Sequence, residues 1–155
     1  MRTTRTFRVE DPVKIKQALF GWSKSFDHVV WLDSNNHLDL YSTFEACLAI
    51  GKHKTFHGLE ELKKFTDLSP DWLFGYFSYD LKNEFEDLVS ENHDELGFPN
   101  LYFYQPLKLI ILKGNELHFF YLEEVSHEID LDFKTLYLNE LVVGFKTMDE
   151  TPIKI

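Results

Sequence analysis

The sequence predicts an α+β domain in which a largely antiparallel sheet carries its helices on one face. Three observations carry that expectation. Leu107–Leu112 and Leu117–Leu122 are apolar runs flanking Lys113-Gly114-Asn115-Glu116, and Gly-Asn between two such runs signals a hairpin. Trp72–Leu88 begins with the period of a strand and ends with the period of a helix. Strands and helices do not alternate along the chain as a doubly wound parallel sheet requires.

Taken in order, Thr4–Glu10 alternates Phe7 and Val9 with Arg8 and Glu10, as a half-exposed strand does. Asp11-Pro12 opens a helix, Asp as cap and Pro at the first helical position, where its missing N–H costs nothing. Ile15, Leu19, Trp22 and Phe26 form the apolar stripe, which leaves Lys14, Lys16 and Lys24 outside. His28–Asp33 reads as a short apolar strand. Ser34-Asn35-Asn36-His37 reads as a turn, because Asn tolerates a positive φ. Tyr41–Ile50 is the next strand, with Cys47 packed as a small hydrophobe. Gly51–Gly58 is a polar loop. Leu59, Leu62 and Phe65 mark a short helix that Leu68-Ser69-Pro70-Asp71 ends.

The alternating aromatic residues of Trp72–Phe77 predict a strand covered on both faces. Gly75 leaves a gap in it where a backbone or a ligand can approach. Leu81, Phe85 and Leu88 then recur as one stripe of a helix that Asp80 is placed to cap. Ser90–Pro99 is an acidic, turn-rich surface loop. Pro106 cannot donate to a ladder and belongs at a strand start or an edge. In Asp130–Leu141, Phe133, Leu136, Tyr137 and Leu141 suit a helix, although the leucines also fit a strand.

Composition narrows the function classes. Apolar residues make up 44% of the 155, enough for a true core rather than a disordered chain. Twenty-six acidic residues against 16 basic ones give a formal charge of −10, which argues against a nucleic-acid groove or an anionic membrane surface. A single cysteine excludes an internal disulfide and fits a reducing cytoplasm. The sequence has no 18-residue apolar run, and MRTTRTFRVE lacks the apolar core of a signal peptide.

Local chemistry is sparse. His53 and His57 sit four apart in a loop with Lys52 and Lys54, without a supporting carboxylate, and no zinc site is expected. His118, in a hairpin strand, is expected to face water. Glu60-Glu61, Glu123-Glu124 and Asp149-Glu150 are sequence neighbours, so their carboxylates diverge instead of sharing a reacting atom. Neither a G-x-S-x-G elbow nor a phosphate-binding glycine loop occurs, and Cys47 has no basic neighbour to activate it. One arrangement remains. Asp33 and Ser34 leave the end of an apolar strand, where they suit the ammonium of a small amino acid, Asp33 by charge and Ser34 by hydrogen bond. An Asx-type turn at Asp33-Ser34-Asn35 is the plainer alternative.

Gly75-Tyr76, Tyr79-Asp80 and Glu86 fall in the order of a GY-x-x-YD…E segment, with Leu32-Asp33-Ser34 upstream and GFPNLYFYQP downstream. Together they resemble the N-terminal domain of the anthranilate synthase component I family, and the surrounding wording is similar to its aminodeoxychorismate synthase branch. The resemblance implies the N-terminal part of the chorismate-utilising fold, with residues 1–148 as a single domain and 149–155 as the start of a linker to a chorismate-binding domain outside this sequence. It implies no catalytic residues and no cofactor in this segment, the Mg2+-dependent conversion of chorismate to 4-amino-4-deoxychorismate for folate synthesis belonging to that further domain. The implied partners are that domain and a glutamine amidotransferase supplying ammonia. This segment would scaffold or regulate the enzyme.

The resemblance makes Leu32, Asp33 and Ser34 an amino-acid pocket, the element that helps anthranilate synthases hold the feedback inhibitor tryptophan. Asp33 stands where the tryptophan-regulated branch carries Glu, and no Lys or Arg follows in Leu38–Ala46. In some aminodeoxychorismate synthases tryptophan stays there as a structural ligand. Two alternatives stand beside this reading: an anthranilate synthase N-terminal domain with a tryptophan feedback site, and a free-standing ligand or protein-interaction module. An aromatic sheet face left open would also make the chain self-associate.

Overall fold

The computed structural model describes residues 1–35, 37, 43–82 and 97–146. In chain order these form β1 (Arg2–Arg8), α1 (Pro12–Ser23), β2 (Val29–Asp33), β3 (Ala46–Ile50), β4 (Lys54–Phe56), α2 (Leu59–Leu68), β5 (Phe74–Phe77), β6 (Leu101–Gln105), β7 (Lys108–Lys113), β8 (Glu116–Leu122) and α3 (Ile129–Lys146). The class is α+β, with every strand pair antiparallel. The chain divides into two compact units, Met1–Gly51 with the residues from Leu107 onward, and Lys52–Pro106.

The first unit is a five-stranded sheet in the order β1-β8-β7-β3-β2. Its centre is the hairpin legible in the sequence. Lys113 pairs with Glu116, and Gly114 takes a φ of 56° at the first turn position, where a side chain would be strained. Alternation then sorts the strands. Ala46, Leu48 and Ile50, Ile110 and Leu112, and Leu117, Phe119 and Tyr121 form one buried face, with Ile15 and Leu19 of α1 and Leu136 of α3 packed on it. The start of α1 follows the capping logic: the Asp11 carboxylate accepts from the backbone N–H groups of Val13 and Lys14, both at 3.1 Å. Trp22 and Phe26 pack partly buried beside this core, Phe26 lying beyond the end of the helix.

Cys47 is fully buried, and that burial pushes its thiol up to about 12. The thiol should therefore resist alkylation at pH 8 in the folded protein and react quickly once urea unfolds it. Labelling at equal rates in both states would contradict this packing.

A lysine is also buried in this unit. Lys108 opens β7 on the core face and Asp132 lies one turn into α3, exposed by only 7% and 8%. Lys108 Nζ donates to Glu128 Oε2 at 2.7 Å and to Asp132 Oδ2 at 2.6 Å. The Tyr121 hydroxyl donates to the same Asp132 oxygen at 2.8 Å. The rings of Trp22, Phe26 and Tyr121 surround the ammonium at 5.2 to 6.0 Å.

The second unit is a three-stranded sheet, β4-β6-β5, with Leu62 of α2 packed against Phe56 and Leu101. Several expectations need correction here. The stretch Gly51–Gly58 is not all loop, because Lys54–Phe56 pairs with β6 and drives Phe56 into the core. The strand expected from Trp72 starts at Phe74, and it is not covered on both faces: Tyr76 and Phe77 are exposed. Asp80 lies inside a 3-10 turn, Tyr79–Lys82, that begins before it, and most of the helix it was expected to cap falls outside the described residues. Phe85, Leu88, Glu86, Tyr41, most of the Ser90–Pro99 loop and the 149–155 linker lie outside the described residues. Among the described residues no helix is long and apolar enough to cross a membrane.

Candidate functional site

The flank of α1 beside its core stripe carries Pro12, Val13, Lys16, Gln17 and Phe20, spaced so that they line one side of the helix. In β2 the two-residue period puts Trp31 and Asp33 on the face that meets this flank. With Glu45 just before β3 and Leu112 of β7, these residues line a cleft of ≈ 480 Å³, within the ~300–1,000 Å³ typical of small-molecule sites. Its wall is apolar, made of Val13, Phe20, Trp31 and Leu112, with the Phe20 and Trp31 rings 5.6 Å apart. Its polar groups are Lys16, Asp33 and Glu45, with Gln17 beside them.

Asp33 holds the arrangement together. Its Oδ1 lies 2.5 Å from Lys16 Nζ and accepts the Asn35 N–H at 2.7 Å. Asn35 takes a φ of 51° to make that turn. Burial pushes the Asp33 carboxyl up, but hydrogen bonds from Lys16, the Asn35 backbone and the Trp31 side chain, with the Lys16 charge, outweigh it and leave the carboxyl below 3.8. Asp33 is thus ionised at any neutral pH. Glu45 is fixed differently: its carboxylate accepts the Gly114 N–H at 2.9 Å, while its backbone bonds Ser34 and Leu112.

Of the three residues expected to form a pocket, only Asp33 lines the cleft. Leu32 points to the other face of the sheet, opposite Cys47, and is exposed. Ser34 donates its backbone N–H to Glu45 and accepts from His37 through its carbonyl. Lys16, expected outside, instead lies against the sheet with its ammonium on Asp33, its long stem carrying the charge around the helix flank. His118 is half-buried, its Nδ1 2.9 Å from the Thr6 hydroxyl and its Nε2 3.3 Å from Glu116. Gly75, Tyr76, Tyr79 and Asp80 belong to the second unit.

The missed signal for this cleft was available. Trp31 and Asp33, two apart in a strand, must share a face. Lys16 could not be found that way, because its meeting with Asp33 depends on how α1 crosses the sheet. Among the described residues that line the cleft, none offers a hydroxyl, thiol or imidazole, and its charged and apolar groups suit a molecule with both charges and an apolar body. No protein-family model, curated protein or solved structure matches the chain.

Proposed function

We propose that the chain is the N-terminal, non-catalytic domain of an aminodeoxychorismate synthase component I of the anthranilate synthase family type, and that its cleft holds an apolar α-amino acid. In this reading, chorismate, Mg2+ and ammonia chemistry belong to a further domain and a glutamine amidotransferase partner, and this domain scaffolds or regulates them. The observation that carries it is the pairing of Lys16 with Asp33 in the lining of an otherwise apolar cleft. A zwitterion entering there replaces one ion pair by two, its carboxylate on Lys16 and its ammonium on Asp33, while its side chain covers Trp31 and Phe20.

Calorimetry with L-tryptophan and L-phenylalanine tests the ligand. Binding is expected, weakened about tenfold or more in Asp33→Asn and in Lys16→Met. Because the folded carboxyl sits below its ordinary 3.8, binding that depends on its charge is fully present above that value and fades as pH falls through the lowered one. Absence of heat with either amino acid rejects the ligand. Turnover of chorismate with ammonia and Mg2+ by the chain alone rejects the non-catalytic assignment.

A further inference from the structure

The strand that supplies Trp31 and Asp33 to the cleft is also a sheet edge. Among the described residues no strand pairs with the outer side of β2. Which of its backbone groups are open follows from the hydrogen bonds at its two ends. The His28 carbonyl accepts the Gly51 N–H at 2.9 Å, and Ser34 donates its N–H to the Glu45 carbonyl at 3.0 Å. Between them the register runs unbroken from Val29 opposite Ile50 to Asp33 opposite Ala46. Bonded and non-bonded pairs alternate in an antiparallel ladder. Val30 and Leu32 therefore bond β3 as well, and Val29, Trp31 and Asp33 turn their N–H and C=O groups outward. Trp31 and Asp33 thus offer an open backbone beside the cleft that their side chains line. The strand has no lysine, proline or bulge, the usual guards of such an edge.

We propose that β2 and its cleft bind the N-terminus of an extended peptide, which adds to the sheet as an antiparallel strand with its free amine at Asp33. The proposal rests on the amino-acid reading of the cleft for one contact, the ammonium on Asp33. Direction and charge choose this occupant. A strand added antiparallel begins opposite the C-terminal end of β2, and Asp33 is the last residue of β2. The one carboxylate of the strand therefore stands where the incoming amine arrives, and the chain's charge of −10 favours the approach of a cation. An internal strand, from a second copy or another protein, brings no cation to that end. The pairing follows from the open groups. Residue 1 of the peptide exchanges both ladder bonds with Asp33, residue 3 does so with Trp31, and residue 2 turns its N–H and C=O away. The pleat sends side chains 1 and 3 to the cleft side, residue 3 beside Trp31 and its neighbour Phe20, and side chain 2 to the side of Leu32. A free amino acid reaches only the first of these pairs.

Calorimetry of the native chain with phenylalanyl-alanyl-phenylalanine amide, beside free L-phenylalanine, tests this with changes made only in the ligand. The tripeptide amide is expected to bind about tenfold or more tighter than the free amino acid, and acetylation of its amine to remove at least that gain. N-methylation reads the register. A methyl on the amide nitrogen of residue 3 blocks the bond to the Trp31 carbonyl and should abolish the gain, whereas one on residue 2 points away and should be tolerated. In amide exchange the N–H groups of Trp31 and Asp33 should gain protection on binding, while those of Val30 and Leu32, already bonded to β3, stay unchanged. Phenylalanine binding with a tripeptide amide no tighter overturns the proposal and leaves the amino-acid reading standing. Equal binding of the acetylated peptide, or the opposite order of the two N-methyl peptides, overturns it too. Binding of the tripeptide amide without that of free amino acids supports the proposal and rejects the free ligand, and binding of neither rejects both.

Discussion

Replacing Lys108 with methionine should destabilise the first unit by about 3–5 kcal/mol, the loss seen when one partner of a buried ion pair is removed. The physical reason is what stays behind. Glu128 and Asp132 hold two negative charges around one ammonium, at 2.7 and 2.6 Å, so without Lys108 two carboxylates face each other across an aromatic box. The Tyr121 hydroxyl cannot make up the difference, since it offers one hydrogen bond, already given to Asp132, and no positive charge. Burial, with the negative charge of Asp132 and then Glu128, pushes it far above its ordinary value, so it remains a neutral donor to Asp132. Urea unfolding followed by a probe in this unit measures the effect.

Two companion measurements separate charge from packing. Adding Asp132→Asn to Lys108→Met removes one stranded charge and should recover part of the loss, a coupling visible in a double-mutant cycle. Lys108→Ala removes the atoms of a propylammonium ion, and the box of Trp22, Phe26 and Tyr121 with two carboxylates remains to receive one. Added n-propylammonium should raise the melting temperature of that variant and leave the native protein unmoved. A Lys108→Met protein as stable as the parent would mean that the ion pairs contribute nothing net.

How much of this was legible depends on the distance over which the information is carried. The Asp11-Pro12 helix start, the Gly114-Asn115 hairpin and the positive φ at Asn35 rest on neighbouring residues, and the structure has all three. The three-residue strand β4 has one buried side chain, Phe56, among lysines and histidines, and its existence depends on β6, nearly fifty residues away. Lys108 and Lys16 escaped for the same reason. A lysine in a sequence reads as surface, and both find their carboxylates on another element, Asp132 on α3 and Asp33 on β2. The cleft was half legible, since Asp33 stood out by its place at a strand end, whereas the wall and the cation that give it a ligand class come from α1.

Gly75→Ala should unfold the second unit or displace β5 from it. The reading of a gap at Gly75 was right in kind, and the object that fills it is the neighbouring strand. A Cβ placed there would lie 2.0 Å from the Tyr102 carbonyl oxygen and 2.6 Å from Phe103 Cα. Both are backbone atoms, which no rotamer change can move aside. Gly75 is opposite Phe103 in the register, so relief requires β5 to separate from β6 along a pairing only four residues long. That pairing also carries Tyr76 against Tyr102 and Phe77 against Leu101, a member of this unit's small core. Loss of β5 therefore removes one of three strands from a sheet with few apolar contacts to spare, and a two-stranded remainder is marginal in water. Amide exchange across β4, β5 and β6 should collapse together in Gly75→Ala, while the amides of β3, β7 and β8 keep their protection. Native-like protection of β6 in that variant would show that the strands separate at little cost, and would remove the close approach as the reason for glycine here.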